Sequence, residues 1–158
     1  MVALITGAAS AAAFRIRRLL EFDEVIFADH LDLPQSIFRE TRFLQIPDGN
    51  SPAFAHQVLK ICLDNQVGMV FPLRKEELRP LAEAKVLFSE YGITLVLPEP
   101  DDLERIPQGG ALQSDCIILA DGMIIGGQFM ELLHFPSDSG IYSFDSEDPS
   151  SATLVAIS

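Results

Sequence analysis

The stretch VALITGAASAAAF, residues 2–14, decides the fold of this chain of 158 residues. Val2–Thr6 is a short apolar run rich in β-branched residues, which predicts a buried strand. Gly7–Ser10 is a turn of small residues. Ala11–Glu21 then carries apolar residues at helical spacing, with arginines mostly on the opposite face. A strand, a tight turn and a helix in this order are typical of the first unit of an α/β fold.

The same alternation continues to residue 98. The further predicted strands are Glu24–Ala28, Arg42–Ile46, Val67–Phe71 and Ile93–Leu97. The predicted helices are a short one over Pro34–Glu40, one that begins at Ser51-Pro52 and runs through Cys62, and one over Glu76–Tyr91 with Gly92 as its C-terminal cap. Such βαβ units with right-handed crossovers predict an α/β fold with a doubly wound, mostly parallel, five-stranded Rossmann-like sheet in the order 3-2-1-4-5.

Charge divides the chain near Pro98–Pro100. Residues 1–100 carry 10 basic and 13 acidic residues, whereas residues 101–158 carry one basic and 10 acidic residues. This break predicts a Rossmann-like domain over 1–100 and an acidic, β-rich appendage over 101–158. The formal net charge of −12 disfavours nucleic acid and anionic membrane surfaces as partners, since both attract clustered Lys and Arg.

The appendage is predicted to be mostly antiparallel. Its candidate strands are Cys116–Ala120, Met123–Gly127, Gly140–Phe144 and Ala152–Ile157. Asp121-Gly122 between the first two is a strong hairpin signal, while Phe129–Phe135 suits either a helix or a strand. A small apolar sheet needs a partner surface. We expect it to pack on the parallel sheet or on another subunit, with a homodimer through these strands as one arrangement.

The first βα turn is a candidate anion site, formed by Thr6, Gly7, Ala8 and Ser10. Small residues let the backbone approach an anion, and the following helix offers amides and a positive dipole end. The dinucleotide fingerprint needs three glycines, of which only Gly7 is present. The same residues therefore also suit tight packing of helix against strand, and both interpretations stay open here.

Asp29 ends the second predicted strand, 22 residues after Gly7. A carboxylate at about this distance binds the ribose in dinucleotide folds, although strand-end aspartates also cap turns. His30 lies beside it, either as a ligand contact or as an exposed loop residue. We predict no cofactor.

The residues that follow the fourth strand are a second candidate region. Pro72, Arg74, Glu76 and Glu77 lie at the carboxyl end of the sheet, beside the predicted switch point where open α/β folds bind ligands. The Arg74 guanidinium suits a carboxylate or phosphate. The two glutamates also suit the positive start of the next helix, so a solvated helix start is the alternative.

The remaining reactive side chains favour structural roles. Cys62 and Cys116 are expected to be reduced, buried thiols of a cytoplasmic protein, because no Cys-x-x-Cys pair occurs. The isolated histidines are His56 and His134, and the acidic tail residues considered for a divalent ion are Asp138, Asp145, Glu147 and Asp148. Calcium-loop spacing is missing, so a solvated loop is favoured. The longest apolar runs are too short to span a membrane.

Three segments carry a resemblance to a known family. LITGAAS at residues 4–10, Val25–Asp29 and Val70–Glu77 resemble, in their order, the pre-ATP-grasp domain that begins carbamoyl-phosphate-synthase-like ATP-grasp ligases. The resemblance covers the first 98 residues. It implies that Gly7, Ser10, Asp29, Pro72, Arg74, Glu76 and Glu77 line a site.

The resemblance also implies a limited role. In such ligases this domain shapes the acceptor-substrate side of the active site, while later lobes bring the Lys and Asn that hold ATP and magnesium. Residues 99–158 contain neither Lys nor Asn. We therefore expect a stand-alone domain that is not an independent enzyme, and that binds a small anionic metabolite or a separate ATP-grasp protein.

An alternative is an atypical NAD(P)-binding oxidoreductase, because LITGAAS is also similar to the start of short-chain dehydrogenases. It would use Gly7–Ser10 and Asp29. Neither Tyr91 nor Tyr142 has a Lys four positions later, so the tyrosine–lysine pair of those enzymes is missing. This absence and the lost glycines favour the first interpretation.

Overall fold

The structure is a computed structural model that describes residues 1–105, 115–127, 135, 137–145 and 148–156. Its first part contains a parallel sheet whose strands are β1 (Val2–Ile5), β2 (Glu24–Asp29), β3 (Arg42–Gln45), β4 (Val67–Phe71) and β5 (Thr94–Leu95). Their order is β3-β2-β1-β4-β5, with every neighbouring pair parallel. The predicted α/β fold class and strand order are therefore confirmed.

Helices connect these strands. They are α1 (Ala11–Leu19), α2 (Phe54–Asp64), α3 (Lys75–Glu83) and α4 (Lys85–Glu90), with 3₁₀ turns at Gln35–Ile37 and Pro100–Arg105. Within the described residues, none of the helices has the length and apolar character needed to cross a bilayer.

Two helix starts follow different rules. Ser10 caps α1, where its hydroxyl oxygen accepts the Ala12 amide at 3.0 Å. Ser51 does not cap α2: the chain first makes a turn in which the Phe54 amide donates to the Ser51 carbonyl oxygen, and the helix begins at Phe54. The apolar face predicted for α2 is nevertheless buried.

The single helix predicted over Glu76–Tyr91 is two helices in the structure. The break lies at Ala84, whose ψ of 3° is far from the helical value of about −42°. Pro80 lies inside α3 and has no amide to donate to the preceding turn, which weakens the helix just before the break. The apolar spacing continues through Ala84, so periodicity alone did not reveal the interruption.

The end of α4 is as predicted. Gly92 has a φ of +72°, a conformation that glycine adopts without a Cβ penalty. The Gly92 amide donates to the Ser89 carbonyl oxygen, and the Ile93 amide to the Phe88 carbonyl oxygen. These are the two hydrogen bonds of a Schellman cap, and they direct the chain into β5.

The C-terminal strands form an antiparallel sheet in the order β7-β6-β8-β9. They are β6 (Asp115–Ala120), β7 (Met123–Gly127), β8 (Gly140–Asp145) and β9 (Asp148–Leu154). Asp121 and Gly122 both have positive φ and join β6 to β7, which confirms the predicted hairpin. The ambiguous segment 129–135 lies outside the described residues except for Phe135.

The core has two apolar layers, one on each face of the parallel sheet. One layer joins Leu4 and Val70 to α2 and α3, and the other joins Ile5 and Phe71 to α1. The antiparallel sheet contributes to both, because alternate residues of β6 enter different layers. Ile117 lies in the first layer and Ile118 in the second.

Candidate functional site

The candidate residues meet at the carboxyl edge of the parallel sheet. Thr6–Ser10 follow β1, Asp29-His30 end β2, and Pro72–Glu77 lead from β4 into α3. The strands are parallel, but the order in which the chain adds them changes direction between β1 and β4. Folds of this class form a crevice at such a switch point.

Asp29 lies at the centre of this cluster and is 0% exposed. Its Oδ2 accepts the Ala9 amide at 2.9 Å and its Oδ1 accepts the Leu31 amide at 3.1 Å. Arg74 Nη2 lies 3.0 Å from both carboxylate oxygens. Burial by itself raises the pKa of Asp29, but the two amides and the guanidinium outweigh it and hold the pKa below its usual value.

His30 extends the cluster towards solvent. Its Nδ1 lies 3.2 Å from Asp29 Oδ1, and its side chain is 27% exposed. The imidazole therefore lies beside the buried carboxylate at the accessible surface of the site.

Arg74 closes the cluster from the other side. It is the N-cap residue of α3 and is 9% exposed. Its Nε is buried and has no hydrogen-bond partner among the described residues. The guanidinium thus directs part of its donor capacity to Asp29 and keeps one donor unused.

Thr6, Leu73 and Glu77 form a second buried cluster next to the first. Thr6 Oγ1 accepts the Leu73 amide at 2.9 Å and donates to Glu77 Oε2. Glu77 is 1% exposed, and burial raises its pKa from 4.5 to about 7, although the Thr6 hydroxyl, the Arg74 amide and the Arg74 charge act in the opposite direction. The carboxyl therefore titrates near neutrality.

The β1–α1 turn satisfies its own amides. Gly7 has a φ of +65°, which bends the chain sharply after β1. The Ala8 amide donates to the Ala28 carbonyl oxygen at 3.1 Å, and the Ser10 amide to the Gly7 carbonyl oxygen at 2.9 Å. The Ala9 amide is taken by Asp29, so three consecutive amides of the turn already have partners.

The remaining predicted residues border this edge. Pro72 is buried, and Glu76 is half-buried. Gly49, which follows β3, was not predicted but also borders this edge: a Cβ at this position would lie 2.8 Å from the Glu76 carbonyl carbon. The adjacent Asp48 was not predicted either, and its pKa is lowered most by the Asn50 amide, with smaller effects from the charges of His30 and Arg74. The signal was available, since Asp48-Gly49 is a turn pair just after a predicted strand.

The other reactive groups lie elsewhere. Burial raises the pKa of Cys62 to about 12 and that of Cys116 to about 11, and both thiols are free. In the part of the chain that the structure describes, no group of three His, Cys, Asp or Glu side chains is placed to hold a metal ion. His134 and Glu147 lie outside that part.

Comparison with known families supports a pre-ATP-grasp-like domain. Residues 7–96, more than half of the chain, match the PylC-like N-terminal domain, from an ATP-grasp enzyme of pyrrolysine biosynthesis. The chain belongs to this family of N-terminal domains. None of the curated proteins matches the chain significantly.

Proposed function

We propose that this chain is the substrate-side domain of an ATP-grasp system and is not an enzyme on its own. It receives a small anionic metabolite at the carboxyl edge of its sheet, and a separate ATP-grasp protein supplies the nucleotide chemistry. The observation that carries this proposal is the family match over residues 7–96, which includes every residue of the polar cluster except Thr6.

The division of the site into a buried floor and an accessible rim supports the proposal. Thr6, Asp29, Arg74 and Glu77 are buried and pair as Thr6 with Glu77 and Asp29 with Arg74, so they hold the strand ends in fixed positions. The rim carries His30 and half-buried Ser10, the more accessible of the predicted site residues. A small anion would contact these rim groups, while the floor keeps them in register.

The state of the reactive groups supports a non-catalytic role. The carboxylate of Asp29 already accepts hydrogen bonds from backbone amides and from Arg74. The carboxyl of Glu77 is buried and accepts the hydrogen bond of the Thr6 hydroxyl. The thiols of Cys62 and Cys116 are buried with raised pKa values, which makes them poor nucleophiles. Buried free thiols also fit the cytoplasm, where we place the chain.

The ligand is tested by calorimetric titration of the full chain with glutamate, inorganic phosphate, ADP, NAD and NADP. We expect saturable binding of glutamate or phosphate that His30→Ala weakens roughly tenfold, the loss of about one charge-assisted hydrogen bond. His56→Ala is the matched control, because His56 is an exposed histidine of α2. Absence of binding by all the probes would contradict the ligand half of the proposal.

The same titration also tests the alternative function, an atypical NAD(P)-binding oxidoreductase. Saturable NAD or NADP binding that Asp29→Ala abolishes would favour the atypical oxidoreductase and overturn the proposal. The partner half is tested by mixing the full chain with an ATP-grasp protein from the same genome. We expect a stable complex in sedimentation velocity, and two independent boundaries would contradict it.

Homodimerisation through the C-terminal strands is a further part of the proposal. Met123 and Ile124 of β7 are 66% and 40% exposed, and β7 pairs only with β6 among the described strands. Pairing of two copies would cover these side chains. Sedimentation equilibrium of the chain should give the mass of a dimer that Met123→Lys reduces to that of a monomer; a monomeric chain at high concentration would dismiss this arrangement.

A further inference from the structure

The β1–α1 turn already contains an anion. The amide of Ala9 points to Asp29 Oδ2 at 2.9 Å, just before Ser10 caps the nine-residue helix α1. In dinucleotide-binding folds, a phosphate occupies this position, held by turn amides and by the positive end of the helix. Here a carboxylate from the end of β2 lies against a turn amide instead.

The Asp29 carboxylate has little capacity left for an external ligand. Both oxygens contact Arg74 Nη2, and each accepts one backbone amide, from Ala9 or Leu31. The residue is 0% exposed. A ribose hydroxyl therefore has no access to the carboxylate, and a phosphate has no access to the Ala9 amide.

A simple strand-end cap would not make these contacts. An aspartate that only closes its own turn bonds the amide two residues on, as Asp29 does with Leu31. Asp29 also accepts hydrogen bonds from the Ala9 amide in the β1–α1 turn and from the side chain of Arg74, the N-cap residue of α3. It thus connects three strand-end segments through one charged group.

We infer that Asp29 is the resident anion of the β1–α1 turn, which excludes phosphates from this turn and ties it to Arg74. The inference is independent of the proposed function, in which a small ligand contacts the rim. It assigns Asp29 as a specificity-determining residue, because it removes the position that a nucleotide pyrophosphate would take. Removing its carboxylate would leave a donor set of two amides and a guanidinium, which suits a small carboxylate or phosphate.

Anion rescue of Asp29→Ala tests this inference. The variant should melt below the wild-type chain in chloride, because Arg74 is left buried without its partner. Replacing chloride by formate at about 0.2 M should raise its melting temperature by roughly 3 °C or more, as expected when a ligand binds the folded state. The wild-type chain should show no such difference between the two salts.

Two further variants separate anion binding from general salt effects. Asp29→Asn fills the same space without charge, so it should be destabilised but show no formate rescue. Arg74→Ala combined with Asp29→Ala removes the guanidinium and should also lose the rescue. Equal stabilisation of all variants by formate, or none of Asp29→Ala, would overturn the inference.

A measurement on the unmodified chain covers the case in which Asp29→Ala does not fold. When inorganic phosphate or ADP is added to roughly 10 mM, well above a typical micromolar to millimolar ligand affinity, the Ala9 amide resonance should move less than those of the rim residues Ser10 and His30. A saturable shift of Ala9 larger than the shifts of both rim residues would mean that an external phosphate reaches the turn amide, and the inference would be wrong. Rim resonances, such as those of His30, report separately on the proposed ligand.

Discussion

Arg74 and Glu77 lie three residues apart at the start of α3, yet they contact different strands. Arg74 reaches Asp29 at the end of β2, and Glu77 reaches Thr6 just after β1. One helical turn thus holds two strand ends in place, and each of the two side chains has a different partner.

The raised pKa of Glu77 predicts that stability falls as the pH rises from about 4.5 to about 7. The unfolded chain releases this proton near 4.5, whereas the folded chain keeps it up to about 7. Deprotonation therefore favours the unfolded state across that window, by about 3 kcal/mol in total. Glu77→Gln keeps an acceptor for Thr6 and should flatten this slope, measured by urea unfolding at several pH values.

Glu76→Gln is the control for this prediction, because Glu76 is the half-buried neighbour on the same helix. Its slope should match that of the wild-type chain. The pKa of Asp29 is lowered from 3.8 in the folded chain, so its stabilising effect is present above that pH and is lost as the pH falls below it. An unchanged slope in Glu77→Gln would show that another group titrates.

The sequence predicted which side chains share the edge but not how they pair. Parallel strands end at one edge, so residues that follow β1, β2 and β4 were certain to approach one another once the strand order was known. Whether Asp29 faces a ligand or Arg74 depends on rotamers and loop paths, which no periodicity encodes. The buried pairing of Thr6 with Glu77 had no sequence signal for the same reason.

At the scale of elements, local signals predicted helix ends better than helix continuity. The cap at Gly92 and the turn at Asp121-Gly122 depend on residues that tolerate positive φ, and both are present as predicted. The break at Ala84 follows Pro80, a breaker signal that the continuing apolar spacing outweighed in the prediction of one helix. The loop after β3 depends instead on packing, because Gly49 lies against Glu76.

Gly49→Ala should disturb the start of α3. A Cβ there would meet the backbone of Glu76 at 2.8 Å, and backbone cannot rotate away as a flexible side chain can. We expect a loss of about 1–3 kcal/mol in the free energy of unfolding, typical of overpacking. Chemical denaturation would measure it.

Gly68→Ala is the matched control for that substitution. Its Cβ would lie 3.2 Å from Met1 Cγ, the flexible end of a side chain, so little stability should be lost. Because Gly49 lies against Glu76, the variant should also shift the Leu73 and Glu77 amide resonances. Equal effects of the two substitutions would mean that the β3–α2 loop does not support α3.

At the scale of the whole molecule, charge and packing report on different parts of the chain. Residues 101–158 carry most of the net negative charge, which predicted an acidic appendage that packs on the parallel sheet or on a partner subunit. The apolar residues of β6 enter both layers of the core beside the parallel sheet. The distribution of charge describes the surface of the protein and does not show how β6 packs. Both faces of β6 are covered, because Ile117 enters one core layer and Ile118 enters the other.

This shared core predicts that the two sheets unfold together. Ile117→Ala removes a fully buried side chain from the layer that contains Leu4 and should cost about 2–5 kcal/mol. Hydrogen exchange of the Leu4 and Leu119 amides should accelerate by the same factor, because both open only in global unfolding. Ile37→Ala is the control: Ile37 is 50% exposed, so its loss should change stability by less than about 1 kcal/mol. Faster exchange confined to β6 would instead show that the antiparallel sheet opens alone, and the charge break would then mark a true domain boundary.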